Sequence, residues 1–182
     1  LLEHAQKRGA APALREKEYG IWQALSWADL ATLVRELACG LAGAGLQRGQ
    51  HIVIVGDNRP RLHATMLAAQ SLGAVPIPLY QDAVAAEYVF PLNNAEVAMA
   101  VVEDQEQLDK VLAVLESTPK IKKVIVWNPY VLKPEHQKFA DKVQSQTDFL
   151  KVEATEELMD ILKKRMEIQQ PGNCISYVYL IS

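Results

Sequence analysis

Asp57 and Asp104 each stand two residues past an apolar run, Ile52-Val53-Ile54-Val55 and Met99-Ala100-Val101-Val102. If those runs are strands of an open α/β sheet, both carboxylates lie at the edge where such sheets bind ligands, able to hold Mg²⁺ or accept a proton. N-capping of the helices that follow is the more economical reading of both. His4, His51, His63 and His136 have no partner at ligand spacing, and Cys39 and Cys174 belong to no Cys-x-x-Cys pair, so no metal site emerges. His63 is read as facing the core or a substrate tunnel. Gly40-x-x-Gly43-x-Gly45 is glycine-rich, yet it follows a helix and precedes a strand, the reverse of the order that aims amides at a phosphate; a helix C-cap explains it. Neither a Walker sequence nor a Gly-x-Ser-x-Gly elbow occurs.

The elements that must position these residues follow from periodicity. From Trp27, apolar residues recur at Leu30, Leu33, Val34, Leu37 and Leu41, one face of a helix, with Ser26 and Asp29 as a capping box at its start. The β-branched run at 52–55 reads as a strand buried on both faces. Gly56-Asp57-Asn58-Arg59-Pro60 supplies a turn, an N-cap and a proline suited to a first helical turn; Leu62 to Gly73 carries the next helix. Ala74 to Leu79 looks extended, but Pro76 and Pro78 lack amide donors, which assigns it to an edge or an irregular strand. Val84 to Asn94 is a weaker helix that Pro91 should kink or end. A strand at Val97–Val102, a helix capped by Asp104 with Leu108, Val111, Leu112 and Leu115 on one face, and a strand at Val124–Trp127 complete the regular part. Strands near 52, 74, 97 and 124 separated by helices predict α/β architecture with a mainly parallel sheet flanked by helices. The organisation expected is an α/β subdomain over 1–127, a connecting segment over 128–154, and a helix plus strand over 155–182.

Composition bounds the function. The chain has 182 residues, 49% hydrophobic and 23% charged, with a net charge of −3, which suits a globular fold and lacks the broad cationic field that nucleic acids require. Nucleic acid is therefore not an expected partner. Residues 62–81 contain no Asp, Glu, Lys or Arg, but Gln70, Ser71, Gly73, Pro76 and Pro78 interrupt the run, favouring buried helix and strand over a membrane span. Two cysteines among apolar neighbours fit a reducing, cytoplasmic setting. On these residues alone, a stand-alone doubly wound regulatory domain of the phospho-acceptor kind, using Asp57 and Asp104, also stays open.

Several segments carry a more specific signal. Leu25-Ser26-Trp27-Ala28-Asp29-Leu30, Leu46-Gln47-Arg48-Gly49-Gln50-His51-Ile52-Val53-Ile54 and Leu67-Ala68-Ala69-Gln70-Ser71-Leu72-Gly73-Ala74-Val75-Pro76-Ile77-Pro78-Leu79-Tyr80 occur in the order of the early motifs of adenylate-forming enzymes. The Pro-Leu-Tyr ending and Val101-Val102-Glu103-Asp104-Gln105-Glu106-Gln107-Leu108 make the chain resemble the amino-terminal portion of long-chain fatty acyl-CoA synthetases, bubblegum-like members among them. The segment from Gln170 to Tyr179 is similar to the strand that leads into that family's phosphate loop, with Tyr177 and Tyr179 on it. Where the family continues Tyr-Thr-Ser-Gly-Thr-Thr-Gly, this sequence reads Tyr179-Leu180-Ile181-Ser182.

The resemblance implies an incomplete amino-terminal subdomain of the adenylate-forming fold. It implies a parent enzyme that uses ATP and Mg²⁺ to join a fatty acid to CoA, whereas none of these is expected to bind well to the present chain, in which no catalytic, cofactor or metal residue is assigned. Leu180 and Ile181 cannot replace the hydroxyls and glycines that surround a phosphate. His63, Met66 and Leu67 are the expected wall of an acyl tunnel, since a fatty tail needs an apolar lining. Fatty acid, ATP and CoA would be met through the absent segments, and peripheral membrane contact is compatible with such a substrate. A truncated, non-catalytic binding product is the other reading.

Overall fold

The computed structural model describes residues 1–145. Helix α1 (Leu2–Arg8) leads into a hairpin of β1 (Pro12–Glu18) and β2 (Ile21–Ser26), followed by α2 (Trp27–Gly43). Then come β3 (His51–Val55), α3 (Pro60–Ser71), β4 (Val75–Leu79), α4 (Ala85–Asn94), β5 (Met99–Val102), α5 (Gln105–Val114) and β6 (Lys123–Val126). A 3₁₀ stretch at Pro134–Lys142 precedes a short β7 (Val143–Ser145). The five strands from β3 onward form one parallel sheet in the order β4-β3-β5-β6-β7.

Side-chain alternation splits the sheet's burial between two layers. Ile52, Ile54, Met99, Val101 and Ile125 pack with α2 and α3, while Val53, Val55, Ala100, Val102, Val124 and Val126 pack with α4 and α5 on the other side. Each Val, Ile or Met among them contributes about 1.5–3 kcal/mol when withdrawn from water, and both faces are apolar because both are covered. This is the predicted α/β architecture, a parallel sheet flanked by helices.

Local chemistry sets the boundaries. Ser26 caps α2: its Oγ accepts from the Asp29 amide at 3.1 Å, and Asp29 Oδ2 accepts from the Ser26 amide at 3.3 Å. The helix runs through Gly43, and Gly45 just beyond it takes φ +94°, the left-handed conformation that ends helices. Strand β4 lies at the sheet edge, as its prolines require. The Val75 amide donates to the Gln50 carbonyl at 2.9 Å, so alternation turns Pro76 and Pro78 outward, and the open edge lacks two of the donors another strand would need.

Three features differ from the sequence reading. Residues 12–26 form a hairpin that apolar periodicity misses, because Arg15-Glu16-Lys17-Glu18 alternates charge and not hydrophobicity. Its turn is Tyr19-Gly20, both with positive φ (48° and 81°), as a tight hairpin turn demands. Helix α4 keeps its expected end at Asn94, but Pro91 does not end it, and Tyr88 and Leu92 on either side of that proline are both 2% exposed. Finally, β7 within the expected connection adds a strand to the sheet, pairing Val143 with Val124. The expected helix and strand over 155–182, with Cys174, Tyr177 and Tyr179, lie outside the described residues.

Candidate functional site

The connection β3–α3–β4 leaves β3 on one side over one face, and β4–α4–β5 returns across the other face to β3's opposite neighbour. That reversal opens a crevice outside the carboxyl ends of β3 and β5, the position where open α/β sheets bind ligands. Here Glu103 fills it. Its backbone extends the ladder, the amide donating to Val55 O at 3.0 Å and the carbonyl accepting from Asn128 at 2.9 Å. Its side chain folds back over β3, Oε2 accepting from the Asp57 amide at 2.5 Å and Oε1 facing Arg59 Nε at 3.1 Å.

Gly56 makes this possible. A Cβ there would lie 2.7 Å from both Glu103 Cβ and Oε2, closer than carbon atoms tolerate, so only glycine lets the carboxylate reach the loop. Asp57 is not the N-cap that the sequence predicts. Arg59 occupies that position with no side-chain cap, while Asp57 Oδ1 accepts from Gln81 Nε2 at 2.5 Å and Oδ2 lies 3.7 Å from Arg59 Nε. The proline at 60 already removes one orphan amide of α3, which frees Asp57 to tie β3's loop to the loop after β4. Asp104 does cap, its Oδ1 accepting from the Gln107 amide at 3.1 Å.

A second polar contact set lies beneath. Lys110 Nζ donates to the Gln81 carbonyl at 2.6 Å and pairs with Glu106 at 2.7 Å. The buried Tyr88 hydroxyl donates to the Tyr80 carbonyl at 3.1 Å and lies 3.4 Å from Gln107 Oε1. Burial first, then the Glu106, Asp82 and Glu87 carboxylates, pushes the Tyr88 phenol up to about 12. The Tyr80 phenol is also raised, chiefly by its hydrogen bond to Asp82. Burial likewise raises the Cys39 thiol, which keeps it in the inert form.

Beside Glu103 opens a cleft of about 220 Å³, walled by Glu16 and Glu18 of the hairpin, Arg59, Arg61, Trp127 and Asn128. Three carboxylates and two guanidinium groups line it, so its field does not favour a polyanion. The Asp57 amide already donates to Glu103, and a nucleotide phosphate would meet three glutamates; the described residues do not fit one. Among them no group of three or more His, Cys, Asp or Glu is arranged to hold a metal ion. No described helix is long and apolar enough to cross a membrane.

The three residues expected on an acyl wall share α3 but differ in surroundings. His63 is exposed, away from the core, its Nε2 2.7 Å from Asn58 Oδ1. Met66 and Leu67 are half-buried against the layer built by α2. The other histidines are dispersed: the His4 ring lies 4.7 Å from that of Trp27, His51 opens β3, and buried His136 stands 3.5 Å from Asp109. Sequence reasoning missed Glu103, Gly56 and Arg59 as one unit. The available signal was an ionisable residue at the end of the apolar strand Met99–Val102, 47 residues along the chain from the glycine it covers.

Comparison with known proteins gives this arrangement its context. The chain is 25% identical to long-chain-fatty-acid–CoA ligase ACSBG1 of Rattus norvegicus over 179 residues, 97% of this chain and 24% of that one. It is 27% identical to ACSBG1 of Homo sapiens over 181 residues, with the same two shares. The chain thus spans about a quarter of the length of these curated relatives. The crystal structure of the anthranilate CoA ligase AuaEII with anthranoyl-AMP superposes with a TM-score of 0.69 at 14% identity, covering 81% of this chain and 26% of that one, a likeness of fold. The family model for the AMP-binding enzymes matches residues 1–179, and the chain belongs to that family.

Proposed function

We propose that this chain is the amino-terminal part of a long-chain fatty acid–CoA ligase, an ATP-dependent enzyme that forms an acyl-adenylate and then a thioester with CoA. The observation that carries the reading is the match to such ligases along 97% of the chain while covering 24% of theirs. In the parent, ATP with Mg²⁺ supplies the activating adenylyl group and CoA the accepting thiol. Residues 1–145 supply scaffold: the crevice beyond the carboxyl ends of β3 and β5 is occupied by the chain's own Glu103. By itself the chain forms no acyl-adenylate. A reducing, cytoplasmic setting with peripheral membrane contact suits a fatty substrate, and the free, buried Cys39 thiol supports it.

Met66 and Leu67, with His63 at the water-facing end, form one wall of the acyl tunnel on this reading. The incomplete burial of Met66 and Leu67, two large apolar side chains beside the buried Leu62, Ala68 and Ala69, supports it, as does the apolar lining an acyl chain needs, about 0.8 kcal/mol per methylene. Two measurements test these statements. The intact mass of the endogenous protein, taken with ATP-dependent palmitoyl-CoA formation, should reveal an active species several-fold heavier than this chain. An inactive endogenous species of 20.2 kDa would refute the ligase reading. In the active parent, Leu67→Trp should move preference toward shorter fatty acids, and an unchanged chain-length profile would remove residue 67 from the wall.

A further inference from the structure

We propose that the outer face of the β1–β2 hairpin docks on an anionic lipid bilayer. The hairpin is its own two-stranded sheet, separate from the five-stranded one. Its register sorts side chains by face. Leu14 and Leu25 pack against the core, and on the same inner side Glu16 and Glu18 turn toward the cleft with Arg59 and Arg61. Arg15 opposite Ala24 and Lys17 opposite Trp22 occupy the other side.

The strand alternation therefore sends both acids inward and both cations outward, flanking an exposed tryptophan. Trp22 is 67% exposed and Tyr19, at the turn, 95%. Among the described residues neither Arg15 nor Lys17 is in an ion pair. Amphipathic rings at the level of headgroups, with cations reaching phosphates or carboxylates, are the chemistry of a membrane interface. A protein partner fits less well: the hollow of about 270 Å³ lined by Arg15, Trp22 and Ala24 is open to solvent, without the enclosed pocket that anchors a hot spot. A net charge of −3 repels an anionic surface from the rest of the molecule, so docking is oriented by this face. The proposal uses no catalytic residue; it rests on the proposed function for the peripheral membrane contact and assigns a face to it, and vesicle binding tests that face apart from ligase activity.

Co-sedimentation of the full chain with vesicles of phosphatidylcholine, or of an equal mixture with phosphatidylserine, tests it. The chain should pellet with the anionic vesicles and be released by salt. The Arg15→Ala, Lys17→Ala double variant should bind on the order of 30-fold more weakly, and Trp22→Ser should also weaken binding. Lys122→Ala with Lys123→Ala removes the same charge at the opposite end of the sheet and should leave binding intact. Brominated lipid should quench tryptophan emission in the wild-type chain and lose most of that effect in Trp22→Ser. Absence of pelleting, equal pelleting with neutral vesicles, or equal binding by the Arg15, Lys17 variant and the Lys122, Lys123 variant would each overturn the proposal. A wild-type dimer that Trp22→Ser converts to monomer would overturn it too, assigning the face to a second copy.

Discussion

The crevice at the end of β3 and the hairpin beside it handle charge in opposite ways. Glu103 is drawn inward and satisfied by a backbone amide and a guanidinium, whereas Arg15 and Lys17 are turned outward around an exposed indole. In the first region a polar group substitutes for the ligand that the topology could otherwise admit, and its removal is felt in folding. In the second, the side chains contribute little to folding and remain available to something outside the molecule. Position in the fold, more than residue type, decides whether a charged side chain here is structural or interactive.

Substitutions can break that contrast, starting where packing leaves no room. Gly56→Ala should destabilise the chain by about 3 kcal/mol, because the new methyl must displace Glu103 near its own backbone. Urea unfolding measures this, and a loss under about 0.5 kcal/mol would mean the carboxylate does not close the crevice. Glu103→Gln keeps the shape and discards the charge, so about 1.5 kcal/mol should go. In a Gly56→Ala, Glu103→Gly double variant the two costs should not add, since one removes both the Cβ and the carboxylate that the other strikes.

Tyr88→Phe should cost about 1 kcal/mol by deleting the hydrogen bond to Tyr80 O. The same phenol sharpens the contrast by titration. Its folded pKa of about 12 lies above the ordinary value near 10, so its stabilisation is complete below pH 10 and is lost as pH rises toward 12. Ultraviolet difference spectra should show one phenol ionising near pH 12, concurrent with unfolding; its absence from Tyr88→Phe assigns it. The smallest effect belongs to the hairpin: Trp22→Ser should change unfolding free energy by less than about 0.5 kcal/mol. A larger loss would make Trp22 part of the fold and merge the two regions into one kind.

The four α/β strands, the Ser26 capping box and the edge position of β4 were legible in the sequence because each depends on neighbours within a few residues. Apolar runs need cover on both faces, a capping hydroxyl needs an amide three residues away, and proline lacks its donor wherever it sits. The order of the early motifs carried the family in the same local way. The hairpin escaped because its alternation is written in charge, and its turn rests on a tyrosine at positive φ that no pattern requires. Asp57 looked like a cap because its place before a proline-initiated helix is right. Its actual partners, Gln81 and Arg59, were chosen by the meeting of two loops. Glu103 reaches Asp57 across 46 residues of sequence, through the parallel pairing of β3 with β5. Local sequence thus determined the helices and strands of the α/β layers and the caps at Ser26 and Asp104. Only the tertiary structure decided which charges are consumed inside the fold and which are left facing outward, because that depends on which strand ends become neighbours.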